Sequence, residues 1–384
     1  MDSPLSISSK LPKSGTSIFS VMSALANEQN ALNLSQGFPS FDCNKHLKEL
    51  VNKYIQDKKN QYAPMPGILA LREAIAKKTE ELYSAKYNPE TEITVTAGAT
   101  QAIYTAISAL INEGDEVIVF EPAYDCYVPA IELNGGKAVY AQLKFPNYKV
   151  DWEEVKKLVK RQTKMIIINT PNNPTGSIFT AADMAKLEKI VKNTDIIILS
   201  DEVYEHIIFD KFEHQSVARY PKLAERSVIV SSFGKTFHTT GWKIGYVVAP
   251  EKLMIEFRKV HQFLVFSVNT PIQYAYADFL QLKEEYLGLG KFYQEKRDYF
   301  LQQIKGSRFE PLPCSGTYFQ LLKYNKISEE KDTEIAKIFT IENKIASIPV
   351  SVFYHKSTDH NVLRFCFAKD KETLEKAGAI LKKI

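Results

Sequence analysis

Lys235 sits in the run Ser231-Ser232-Phe233-Gly234-Lys235-Thr236-Phe237, and Gly241-Trp242-Lys243-Ile244-Gly245 follows closely. A hydroxyl, a glycine and two amines, flanked by apolar residues, suit a phosphorylated aldehyde. Ser232 and Lys243 can bind the phosphate. Lys235 can condense with the aldehyde as a Schiff base, which favours an amine whose charge its surroundings suppress. A lysine beside a serine is common, so the remaining polar groups must decide.

Several unusual residues follow short apolar runs. Thr96-Ala97-Gly98-Ala99-Thr100-Gln101 opens a helical pattern. Small residues there let the amides of Ala99 and Thr100 approach a phosphate, and a helix N-terminus favours an anion. A tight strand-to-helix turn is the other reading. Asn169-Thr170-Pro171-Asn172-Asn173-Pro174-Thr175-Gly176 is a rigid turn that can hold the Asn173 amide as a fixed donor. Asp201, in Ser200-Asp201-Glu202-Val203-Tyr204, would be poorly solvated. A protonated pyridine nitrogen would satisfy it and keep the ring electron-poor; a helix N-cap is the alternative use. Tyr204 can donate to a ring oxygen. Tyr124 or Tyr127 can stack on a flat ring, and composition does not separate the two. Arg364, in Val362-Leu363-Arg364-Phe365-Cys366-Phe367, needs a partner inside an apolar strand. Its planar fork suits a substrate carboxylate, or else a structural ion pair.

Positioning these groups requires a sheet. Strands are expected at Glu92–Thr96, Glu116–Phe120, Lys137–Ala141, Met165–Asn169, Ile196–Ser200, Val228–Ser232 and Ile244–Ala249, with helices such as Gln101–Leu110 and Ala181–Val191 between them. Several strands are apolar at consecutive positions, the mark of a parallel sheet covered on both faces. In an open α/β sheet, ligands sit beyond the carboxyl ends of the strands. The C-terminal part has an α+β rhythm: helices at Lys291–Lys305, Lys331–Glu342 and Lys371–Lys383, strands at Gly316–Leu321 and Val362–Phe367. The expected division is a large domain over residues 46–285 and a smaller α+β domain built from 1–45 and 286–384.

The chain has 384 residues, 45% apolar and 24% charged, with a net charge of +4 spread along it. No dense basic block marks a nucleic-acid partner, and the apolar runs are too short to span a bilayer. Residues 1–6 lack the basic start and apolar core of a secretory leader. Cys43, Cys126, Cys314 and Cys366 are widely spaced, so no metal site or disulfide framework is expected, and free thiols suit the cytoplasm. No GxGxxG follows an expected strand, which argues against a nicotinamide dehydrogenase.

Taken in order from Asn33 to Arg364, these motifs resemble the class I aminotransferases of the aspartate aminotransferase fold (pyridoxal-phosphate fold type I). Ser35-Gln36-Gly37-Phe38-Pro39, Gly241-Trp242-Lys243, Phe266-Ser267-Val268-Asn269-Thr270-Pro271 and Arg364-Phe365-Cys366-Phe367-Ala368-Lys369 look like the methionine and kynurenine/glutamine branch. In that branch a lysine at the Lys243 position is usual where other members carry arginine. The resemblance implies pyridoxal 5'-phosphate on Lys235, Tyr124 stacked on the ring, and Asn173 and Tyr204 on the ring oxygen. It implies a substrate carboxylate held by Arg364 and the Gly37 backbone. It further implies a homodimer with shared sites, in which Tyr62 reaches the neighbouring phosphate and Phe266 also comes from the partner. Phe19, Tyr62, Tyr104 and Phe266 are candidate walls of an apolar or aromatic side-chain pocket, core packing being the other reading of each. The expected reaction passes an amino group to a 2-oxo acid. Alternatives are a cysteine-conjugate β-lyase on the same scaffold, or a non-catalytic binding protein that keeps the fold.

Overall fold

Runs such as Met165-Ile166-Ile167-Ile168 offer no polar face, so both sides of the strand must be covered. The structure, a computed structural model, describes residues 7–12 and 14–384. Residues 1–6, which carried the expectation about a secretory leader, lie outside them. Eight strands form the main sheet, in the order Ile93–Thr96, Gly245–Val248, Ser227–Ser232, Ile197–Asp201, Thr163–Asn169, Glu116–Glu121, Lys137–Lys144 and Lys149–Val150. Seven answer to the expected strands. The eighth is a two-residue edge strand, too short to leave a sequence pattern. Gly245–Val248 runs antiparallel to both neighbours and Lys149–Val150 is antiparallel to its own; the other pairings are parallel.

Alternation along the strands divides the interior. Ile166, Ile168 and Ile198 face one core, while Met165, Ile167 and Leu199 face the other. Burying each such side chain is worth roughly 1.5–3 kcal/mol relative to exposure, so the register is strongly specified. Helix Ala99–Leu110 belongs to the second core and packs against Glu251–Leu264. Helix Ala181–Val191 begins where expected, with Thr180 and Asp183 forming a reciprocal capping box.

The remainder builds a second sheet, Glu310–Pro311, Phe319–Lys323, Val362–Cys366 and Ile348–Pro349, all antiparallel. Helices Leu289–Ile304 and Lys371–Leu381 pack together beside it. The N-terminal strand Leu32–Asn33 pairs with Ile345–Ala346. Helix Lys45–Gln56, in contrast, packs against Thr270–Phe279. Among the described residues no helix is long and apolar enough to cross a membrane, and no cluster of side chains could hold a metal ion.

Candidate active site

The parallel strands all present their carboxyl ends to one edge of the sheet, where a cavity of about 170 Å³ opens. Strand Ile93–Thr96 leads into Gly98, whose φ of 81° is a conformation that side chains rarely adopt, and helix Ala99–Leu110 starts at once. First-turn amides have no acceptor inside their helix, and the dipole adds partial positive charge. Gly98, Ala99 and Thr100 line the cavity together with Ser232 and Lys243. A Cβ on Gly98 would lie 3.4 Å from Lys243 Nζ. Gly245 permits the same crowding from behind, because a Cβ there would meet Ser231 O at 2.7 Å and Ala99 N at 3.1 Å. Amides, a hydroxyl and an amine thus converge as an anion cradle.

Asp201 ends its strand across the cavity and is buried. Tyr127 Oη donates to Asp201 Oδ2 at 2.5 Å, and the Val203 amide donates to Oδ1 at 3.3 Å. Burial raises the Asp201 carboxyl to about 6, against those two bonds, which favour the charged form. No helix follows Asp201, so the N-cap reading does not apply. Asn169 Nδ2 donates to Asp201 O at 3.0 Å, and Asn169 Oδ1 accepts the Asn173 amide at 2.8 Å. Tyr124, Asn173 and Tyr204 also line the cavity. Burial pushes the phenols of Tyr124 and Tyr204 upward, so both remain donors at neutral pH.

Lys235 lies in the single turn Phe233–Thr236 that follows the strand Ser227–Ser232. It is half-buried at its surface because it borders the cavity, yet it is deeply surrounded by protein. That burial lowers its ammonium to about 8, and the Arg364 and Lys243 charges push the same way. Lys235 Nζ donates to Tyr318 Oη at 2.9 Å and to Gly37 O at 3.2 Å.

Arg364 is 1% exposed, on the strand Val362–Cys366. Its Nη1 donates to Asn173 Oδ1 at 2.7 Å and its Nη2 to Ser35 O at 3.1 Å, while Nε is buried without a partner. Among the described residues no carboxylate pairs with it, so the structural ion pair is not present. Its guanidinium lies 3.9 Å from the Phe319 ring, 5.1 Å from Phe19 and 5.8 Å from Phe353. Gly37, Phe19 and Arg364 therefore meet beside the cavity. Tyr62 and Phe266 do not reach it within one chain; they touch each other at the surface, ring centroids 5.4 Å apart. Tyr104 packs against the second core instead.

Sequence reasoning misses three residues. Asn169 and Tyr318 read as ordinary strand residues, and nothing local divides Tyr127 between core and stacking. Only the position of Tyr127, three residues after Tyr124 on the same turn, hints at its contact with Asp201.

The arrangement accepts pyridoxal phosphate on its own terms. There is an anion cradle, a buried carboxylate with no cation in contact, a buried amine of lowered basicity, and an unfilled guanidinium donor at the edge. A model of the family described as aminotransferase class I and II matches residues 29–381. A methionine aminotransferase of Escherichia coli K12 is 49% identical over 384 residues, covering 100% of both chains. A human kynurenine–oxoglutarate transaminase 1 is 32% identical, covering 94% of this chain and 93% of its own. A solved Escherichia coli structure, described as having a methionine aminotransferase function, superposes with a TM-score of 0.97 at 49% identity, covering 99% of this chain and 100% of that one. The Mycobacterium tuberculosis N-succinyldiaminopimelate aminotransferase gives a TM-score of 0.95 at 33% identity, covering 98% and 100%. The chain belongs to the class I and II aminotransferases and is a pyridoxal-phosphate-dependent enzyme that moves amino groups between amino acids and 2-oxo acids.

Proposed function

We propose that the preferred amino donor is an apolar or aromatic amino acid, methionine-like, with phenylalanine, leucine, glutamine and kynurenine in the same range. The observation that carries this reading is the wall around Arg364. Phe19, Phe319 and Phe353 surround its guanidinium, and among the described residues no arginine lines the cavity itself, so none stands there to take a distal carboxylate. The names of the Escherichia coli and human relatives agree with such a wall.

The same placement supports a reading of the residue roles. Ala99, Thr100, Ser232 and Lys243 hold the phosphate, with Gly98 giving close approach. Tyr124 covers the ring face, Asp201 faces the ring nitrogen, and Asn173 and Tyr204 face the ring oxygen. Lys235 would condense with the aldehyde carbon, releasing water. When bound, the cofactor supplies an electron sink for a developing carbanion. Arg364 and Gly37 fix the substrate carboxylate. Once the amino group of the substrate had displaced it from the aldehyde carbon, the freed Lys235 amine, whose basicity lies near working pH, would take the proton from the substrate Cα and deliver it to that former aldehyde carbon.

Tyr62 and Phe266 complete the neighbouring site in a homodimer. Their exposure, 82% and 52%, supports that reading. The division at about residues 46 and 285 is supported by the packing of Lys45–Gln56 on Thr270–Phe279 and by the pairing of Leu32–Asn33 with Ile345–Ala346. Cytoplasmic residence rests on the four cysteines, all free.

The test is a panel of amino acids added singly to the yellow holoenzyme, with the loss of its visible absorbance followed in time. Methionine and the aromatic amino acids should bleach it fastest and aspartate slowest. Uniform rates, or a preference for aspartate, would overturn the specificity.

A further inference from the structure

Tyr318 precedes the strand Phe319–Lys323 and is fully buried. Its hydroxyl has one proton, and that proton goes to Gly37 O at 2.6 Å. Its oxygen is therefore left facing Lys235 as an acceptor, at 2.9 Å. Gly37 O itself accepts from Lys235 at 3.2 Å. Two of the amine's N–H bonds are thus committed to one side, and the remaining direction opens toward the cavity.

We propose that Tyr318 is a positioning residue for transamination: its hydroxyl oxygen holds the free amine of Lys235, aims it into the cavity, and ties it to the Gly37 loop. The inference rests on the reading of Lys235 as the base. Tyr318 does not act as an acid or base itself, since burial raises its phenol well above the ordinary value and keeps it protonated. Three chain segments meet at this point: Lys235 from the main sheet, Gly37 from the N-terminal segment, and Tyr318 from the C-terminal part. A Cβ on Gly37 would press on Phe319 Cζ at 3.0 Å, so the loop already sits against the ring that follows Tyr318. The amine is consequently in its working orientation only when the Gly37 loop, which grips substrate, is seated.

The test compares Tyr318→Phe with wild type, using Tyr293→Phe as control. Tyr293 packs on Tyr318 with ring centroids 5.6 Å apart, but its hydroxyl has no partner. In single turnovers of holoenzyme with methionine and α-deuterated methionine, Tyr318→Phe should slow proton transfer about tenfold or more and raise the isotope effect. Its KM should change less than its rate of proton transfer, because the hydroxyl touches the Gly37 loop but not the substrate itself. In apoprotein, Lys235 can be trapped by pyridoxal and borohydride across pH and located by peptide mass spectrometry. The midpoint should move to lower pH in Tyr318→Phe, since an acceptor for the ammonium has gone. Tyr293→Phe should change neither readout.

Wild-type rate, isotope effect and midpoint in Tyr318→Phe would overturn the proposal. So would a change in melting temperature and KM alone, which marks a packing role. Lys235→Ala separates the two levels. Substantial turnover in that variant refutes the underlying reading, whereas a dead Lys235→Ala beside a normal Tyr318→Phe refutes only this one. Should Tyr318→Phe fail to fold, 3,5-difluorotyrosine at 318 keeps ring and hydroxyl but weakens the oxygen as acceptor. It should give the same shifts at smaller size, and unchanged values would overturn the proposal.

Discussion

Asp201 holds a carboxylate where water cannot stabilise its charge. With a folded pKa of about 6 against an ordinary 3.8, the native apoprotein binds this proton more tightly than the unfolded chain does. The group's contribution to stability is therefore fully present below about pH 4 and lost as pH rises through 6. A rise of that size corresponds to on the order of 3 kcal/mol. Urea denaturation of apoprotein at pH 4 and pH 8 should show that loss in wild type, and Asp201→Asn should lack it. If Asp201 faces the ring nitrogen as proposed, the same substitution in holoenzyme should lower turnover by about a hundredfold or more, because a neutral amide does not keep that nitrogen protonated. Arg364 makes a second case. Arg364→Lys retains charge but not the planar fork, so KM for amino acids should rise at least about tenfold while the cofactor stays bound. Steady-state kinetics with methionine check this.

Single residues are held in place by elements whose own anchoring is polar. Lys78 Nζ on helix Leu69–Tyr83 meets Glu205 Oε1 at 2.6 Å, both side chains buried. Ser231 and Tyr246 donate to the same carboxylate oxygen, and Tyr83 donates to Oε2. Burial opposes ionisation of Glu205, but Lys78 and these bonds outweigh it and hold the carboxyl well below its usual range. The cluster ties that helix to the strands Ser227–Ser232 and Gly245–Val248 and to the turn after Asp201. Lys78→Met should leave a buried charge unpaired and destabilise by about 3–5 kcal/mol, whereas Lys78→Met with Glu205→Leu should recover much of that loss. Chemical denaturation of the three proteins distinguishes these outcomes.

At the scale of the whole molecule, the proposed homodimer with shared sites makes a prediction of its own. Tyr62 and Phe266, in ring contact, are 82% and 52% exposed, and Phe263, close to Phe266 in the chain, is 87% exposed, surface that a partner would cover. If Tyr62 serves the partner's cofactor, coexpressing Lys235→Ala with Tyr62→Ala should restore activity above the sum of the two parents. The mixed dimer then contains one site with both native residues. Sedimentation should show a dimer for each protein. Activity no greater than the sum of the parents would contradict shared sites.

Composition and local pattern determined the sheet and set candidate groups at its edge, and the family resemblance gave those groups a chemistry. Consecutive isoleucines demand burial on both faces, and Gly98, Asn173, Asp201 and Lys235 stand where such strands end. Their types are readable because each does one thing that few other side chains can do. What only the tertiary structure decided is which distant groups touch. Tyr127 is indistinguishable from core until its hydroxyl meets Asp201, and nothing in the local sequence around Tyr318 places it against Lys235 and Gly37. The reading of Asp201 as a cap fails for the same reason, since the turn after it depends on contacts from other strands. Periodicity records which face of an element is buried; it carries no information about which partner lies across the cavity, because that is set by register and by the seating of one sheet on another.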